Sequence, residues 1–319
     1  MKKFLKIAGV IFLLLIVYVM FQNLFTTLAI AAYIVYAIVT GIIPLEIFSP
    51  ENFSPEMFAD TEALIKDPAI SGIIINSMAI GLFLSAAAML LFIHASRIFR
   101  IRKTLFTSIA PMPLLWSTLL VLTSIFALNT FVSWFPLENI LENEFDGLSR
   151  NFIGAFTIAV LAPVLEEVMF RGAMQGYMMR RVRSPWLAII VASLVFGIFH
   201  MNPVQIVYAS LLGIILGWIY YRTGSLMSVI VGHVLNNTIA TVMELTMGGE
   251  IEPEMFADMS QNMSVAIEAG TFVFFALLSV LFAYLLNDSL PAVPSPWRES
   301  DETVTESLCE PALEQEQSR

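Results

Sequence analysis

The chain has 319 residues, 58% of them hydrophobic and only 13% charged, where a soluble domain is about a quarter charged. That composition excludes an ordinary globular core and predicts an all-α, polytopic membrane bundle. The net charge of −10 collects in loops and in the C-terminal tail, and nothing resembles a face for nucleic acid; Cys309, the one cysteine, sits in that tail outside any prenylation box, which excludes an internal disulfide and a Cys-based metal site.

Apolar runs of some 20 residues draw eight spans, at 7–43, 71–94, 110–134, 151–178, 185–202, 204–221, 225–247 and 266–286. The opening MKKFLKIAGVIFLLLIVYVM resembles a signal peptide. Its apolar run continues to Ile43, beyond the length of an h-region, so an uncleaved signal-anchor is expected, although LAIAA at 28–32 argues for cleavage. The run is also long for one upright helix, and a hairpin turning at Gln22-Asn23 competes with one long tilted helix. Charge decides between them. Lys2, Lys3 and Lys6 precede the first span, and Arg97, Arg100, Arg102 and Lys103 follow the second. Both clusters belong in the cytoplasm, so two crossings separate them and the single helix is expected. Arg180, Arg181, Arg183 and Arg222 continue the same side, while loops 44–70 and 135–150 hold only Lys66 and Arg150 among many acids. An integral protein of a bacterial inner membrane with both termini cytoplasmic is expected.

Four regions follow: N-terminal helices and acidic loops at 1–149, a core at 150–247, a loop and last helix at 248–286, and a disordered acidic tail at 287–319. No internal repeat of the inverted-transporter kind is visible, nor is a Gly- or Pro-broken helix read at mid-membrane.

Three spans carry costly polar residues. Residues 166–172 read EEVMFRG, and His200 and His233 end SLVFGIFH and open HVLNN. Ionisable groups at a helix centre cost roughly 2.5–3.5 kcal/mol each, so by default they mark a site. Glu167 and Arg171 are i and i+4, as are Phe196 and His200, and His233 and Asn237. Each pair shares a helix face. At about 1.5 Å per residue, Glu166, His200, His233 and Asn237 fall in one band of depth inside the bilayer. A glutamate beside a histidine in a dry cavity is a general-base arrangement. A histidine and an asparagine one turn apart suit an oxyanion. No usable serine or cysteine nucleophile is present, which favours attack by water.

Here the residues resemble a known family. EEVMFRG, FGIFH and HVLNN are similar to the EExxxR, FxxxH and HxxxN motifs of the type II CAAX prenyl endopeptidase family, the CPBP or Abi intramembrane proteases. The resemblance covers residues 150–242, with the motifs in family order. It implies that Glu166 activates water with help from His200. Glu167 and Arg171 would support the site, His233 and Asn237 would stabilise the oxyanion, and Phe196 would pack beside it. The family is described as glutamate-type, though members are often labelled metalloproteases; its eukaryotic members remove three residues from prenylated C-termini.

Blander readings stand beside these. Glu167 and Arg171 form a structural ion pair, Phe196 only packs, and His94 is interfacial. Asn236 competes with Asn237 for the amide role. Gly213 and Gly217 let helices approach closely. No metal is expected, zinc on Glu166, His200 and His233 being the runner-up, since HExxH is absent and Arg171 opposes a cation. The expected partners are membrane lipid and a peptide or membrane-protein substrate. A non-enzymatic immunity or scaffold protein, or a proton-coupled transporter, is the competing class.

Overall fold

The computed structural model describes residues 2–41, 68–96, 110–138, 149–150, 152–247 and 265–290. Among these, the long regular elements are all helical, and no strand occurs. The 97–103 basic cluster, Cys309, and most of the loops read at 44–70, 135–150 and 248–265 lie outside the described residues. So does the tail beyond residue 290.

Helix α1 is Lys2–Val39, α2 Pro68–Ala95, α3 Pro111–Ser133, α4 Phe152–Met179, α5 Pro185–Phe199, α6 Pro203–Thr223, α7 Leu226–Met247 and α8 Val265–Asp288. Seven of the eight are long and apolar enough to cross a membrane. The exception is α5, expected over 185–202. It stops at Phe199 after 15 residues, about 22 Å at ~1.5 Å per residue, short of a ~30 Å hydrocarbon core. The first run is one helix of 38 residues. It continues through Gln22-Asn23 because the Asn23 amide folds back to the Val19 carbonyl at 2.8 Å, leaving no polar turn to form.

The chain packs as two units. The first comprises Met1–Arg100, Leu137–Met169 and His233–Ala269. In it α1 lies along α2 so closely that a Cβ on Gly81 would fall 2.5 Å from Thr26 Cα. Small residues allow such approach where no hydrophobic effect drives helices together. The Asn76 amide donates to the Tyr33 hydroxyl at 3.3 Å, and the Phe21 and Phe92 rings meet edge to face.

The second unit comprises Ile101–Pro136, Phe170–Gly232 and Gly270–Arg319. Here α3 and α8 pair through stacked Phe126 and Phe275 rings at 4.8 Å, and the Ser279 hydroxyl donates to Thr123 Oγ1 at 3.0 Å. Helices α5 and α6 form a tight hairpin. Any Cβ on Gly197 would collide with the Ser210 hydroxyl and the Ile206 carbonyl, so only glycine permits the crossing. Pro185 and Pro203 occupy first-turn positions, where a missing N–H costs nothing. Gly224 closes α6 in the left-handed conformation, φ 64°, donating to the Tyr220 carbonyl.

Helix α4 departs from the regular span expected of it. It winds as an α-helix over Phe152–Phe156, as a π-helix over Thr157–Leu161, and as α again over Ala162–Glu166. A second π segment, Glu167–Gln175, follows before the short α stretch Gly176–Met179. Pro163 accounts for the first irregularity. It has no N–H to give, and the Ala162 N–H reaches back five residues to the Thr157 carbonyl. Such π segments concentrate at functional sites.

Candidate active site

The residues singled out in sequence fall into two clusters, one in each unit. In the first unit, the α-to-π change of winding lies between Glu166 and Glu167. Both carboxylates reach one imidazole. His233 Nδ1 stands 2.7 Å from Glu167 Oε1, and its Nε2 stands 3.6 Å from Glu166 Oε2. The first distance is that of a charge-assisted hydrogen bond, and the second lies beyond hydrogen-bond range. Glu167 is fully buried, His233 nearly so, and the Glu166 side chain is 16% exposed. The two acids therefore differ. Glu167 grips the ring and keeps a proton on Nδ1, because a carboxylate can only accept. Glu166 faces the other nitrogen with room to move and some access to a small molecule. The bond from Glu167 to His233 reaches another helix, which spacing along α4 alone does not show.

Asn237 lies one turn beyond His233. Its Nδ2 donates to the Ile158 carbonyl at 3.1 Å, and its Oδ1 accepts from Asn236 Nδ2 at 3.0 Å. The reason is local. In the π segment the Ile158 carbonyl would take the N–H five residues on, and that residue is Pro163. Asn237 supplies the missing donor. The two asparagines that sequence left in competition thus do different things: Asn237 touches α4, and Asn236 orients it.

In the second unit Arg171 is buried, at 1% exposure. Its Nη2 donates to the Gly213 carbonyl at 3.2 Å, and its guanidinium lies 4.6 Å over the Phe196 ring. That face is the favourable side for a cation. Phe196 meets Phe170 at 5.1 Å and His200 at 4.9 Å, edge to face in both cases. His200 caps the C-terminus of α5, with Nδ1 2.9 Å from the Phe196 carbonyl. A carbonyl only accepts, so Nδ1 carries a proton. Met201 follows at φ 53°, the one non-glycine residue with positive φ among those described. A left-handed non-glycine costs of order 1–3 kcal/mol and tends to occur beside functional groups. Phe196, whose blandest reading was packing, has contacts on its face, edge and carbonyl.

Sequence reasoning passed over Gln175, Pro163 and Met201. Pro163 was legible as a proline inside an apolar run, and so signalled a helix with carbonyls to satisfy. The positive φ of Met201 had no sequence signal, since methionine seldom adopts it. Among the described residues, no group of three or more His, Cys, Asp and Glu side chains is arranged to hold a metal ion.

Residues 148–239 match the family model described as Type II CAAX prenyl endopeptidase Rce1-like. The chain is also 26% identical over 87 residues to a Bacillus subtilis (strain 168) protein described as "Putative membrane peptidase YdiL". That stretch is 27% of this chain and spans only 35% of the relative's length. No solved structure matches. The resemblance seen in the three motifs is thus borne out: over residues 148–239, the stretch that holds both clusters, this integral membrane chain is similar to the Rce1-like type II CAAX prenyl endopeptidases.

Proposed function

We propose that this chain is an intramembrane endopeptidase that hydrolyses a peptide bond with water activated by a glutamate. The observation that carries the reading is the His233 imidazole with Glu167 at 2.7 Å and Glu166 at 3.6 Å. The similarity of residues 148–239 to a peptidase family supports it. In this reading Glu166 takes a proton from water as the oxygen attacks the carbonyl carbon. It then gives that proton to the amine nitrogen as the C–N bond breaks. His233, held by Glu167, stabilises the developing oxyanion together with Asn237. Arg171 and Phe196 support His200, which by the resemblance shares in activating the water.

The catalytic core is residues 150–247, the substrate a peptide or membrane protein, and the setting a bacterial plasma membrane with both termini cytoplasmic. The positive-inside distribution of Lys and Arg supports that orientation.

The test is cleavage of a quenched prenyl-peptide library by detergent-purified protein, with and without chelator. We expect turnover that survives chelation and is lost in Glu166→Gln. Absence of any cleavage by folded wild-type protein would defeat the reading. Loss on chelation with recovery on added zinc would replace the free water with a metal-bound one.

A further inference from the structure

We propose that Gln175 is a positioning residue for the second cluster, fixing Arg171 and through it Phe196 and His200. The inference rests on the peptidase reading and goes beyond its motifs, in which Gln175 has no part.

Gln175 is fully buried in an apolar span, a costly place for an amide. Its Nε2 donates to the Gly217 carbonyl at 2.8 Å. One turn away, Arg171 Nη2 donates to the Gly213 carbonyl at 3.2 Å. The donors are four residues apart on α4, and so are the acceptors on α6. Two parallel rungs therefore join these helices. Both donors lie in the π-wound stretch Glu167–Gln175.

The glycines make the rungs possible. A Cβ on Gly217 would sit 2.9 Å from Gln175 Oε1 and 3.0 Å from Ile189 Cγ2. One on Gly213 would sit 3.2 Å from Arg171 Nη2 and 3.3 Å from Phe196 Cδ1. The small pair thus does more than bring backbones together: it opens two carbonyls to side chains. With the Gln175 rung in place, α4 cannot slide along α6. Arg171 then keeps its carbonyl and its seat on the Phe196 face, and Phe196 holds His200 by ring edge and carbonyl. With the rung broken, Arg171 retains its charge and loses its register.

The experiment is a double-mutant cycle on the full chain, reading turnover and melting temperature. Gln175→Met keeps the length and removes the donor. Gly217→Ala displaces the amide without altering it, and covers the case in which Gln175→Met fails to fold. Each is made alone and with Arg171→Lys, which keeps the charge and loses the planar fork. We expect each single variant to lower kcat about tenfold with KM within about twofold, because misplacing a group by ~1 Å costs up to ~10²-fold. In the Arg171→Lys background the further loss should be under about twofold, and the melting shifts should be similarly non-additive. Equal fractional losses in both backgrounds, or losses carried in KM, would overturn the proposal. If wild-type protein cleaves nothing, the peptidase reading fails by itself. The melting cycle then decides for Gln175, with additive shifts overturning its link to Arg171.

Discussion

Glu166 and Glu167 are adjacent, chemically identical, and expected to fail in different ways when neutralised. Glu167 is fully buried and bonds His233 Nδ1 at 2.7 Å, whereas Glu166 stands 3.6 Å from Nε2 with 16% of its side chain exposed. A hydrogen bond to a charged group contributes about 1.5–3 kcal/mol and a neutral one about 0.5–1.5. Glu167→Gln keeps an acceptor oxygen near Nδ1 but loses the charge, so about 1–1.5 kcal/mol should disappear. Glu167→Leu removes the acceptor as well, leaving a buried N–H that costs a further ~1–3 kcal/mol. Glu166→Gln breaks no hydrogen bond seen here and should leave stability nearly unchanged. Turnover should rank otherwise. Glu166→Gln removes the base and abolishes it, while Glu167→Gln loosens an orienting partner, an effect of about 10–100-fold where such partners have been removed elsewhere. Melting temperature and library cleavage are measured on the same detergent-purified samples. Glu166→Gln melting as low as Glu167→Leu, or retaining substantial activity, would refute the division into base and holder.

Asn237→Ala should lower turnover about 10²–10³-fold if the amide meets an oxyanion. It should also destabilise by about 1–3 kcal/mol through the orphaned Ile158 carbonyl. Adding Pro163→Ala supplies an N–H five residues after Ile158, so the double variant should regain melting temperature without regaining activity. Gly197→Ala should cost at least about 1–3 kcal/mol, because its Cβ meets backbone and a hydroxyl of α6; wild-type expression and melting would show that the hairpin yields. Reporter fusions within 51–67 and 136–149 should report the face opposite the cytoplasm, and a cytoplasmic signal from either would reverse the orientation drawn from the basic clusters.

The sequence by itself determined that this chain is an integral membrane helical bundle, because runs of apolar residues leave the backbone no partner but itself. It also placed seven spans to within a few residues and singled out the polar residues by their cost in lipid. Those signals are local: hydropathy, charge at span ends, and three short motifs. What only the tertiary structure decided is how the polar residues are shared out. No spacing within α4 shows that Glu167 Oε1 bonds a histidine 66 positions further along. Asn237 answers a carbonyl that Pro163 leaves without a donor 79 positions away in the chain from the amide that serves it. Gln175 looks like one amide in an apolar run until the Gly217 carbonyl appears beside it. The reason is common to all three. A buried polar group must find a partner, and which partner it finds depends on how the helices pack, which is not encoded in any short window of residues.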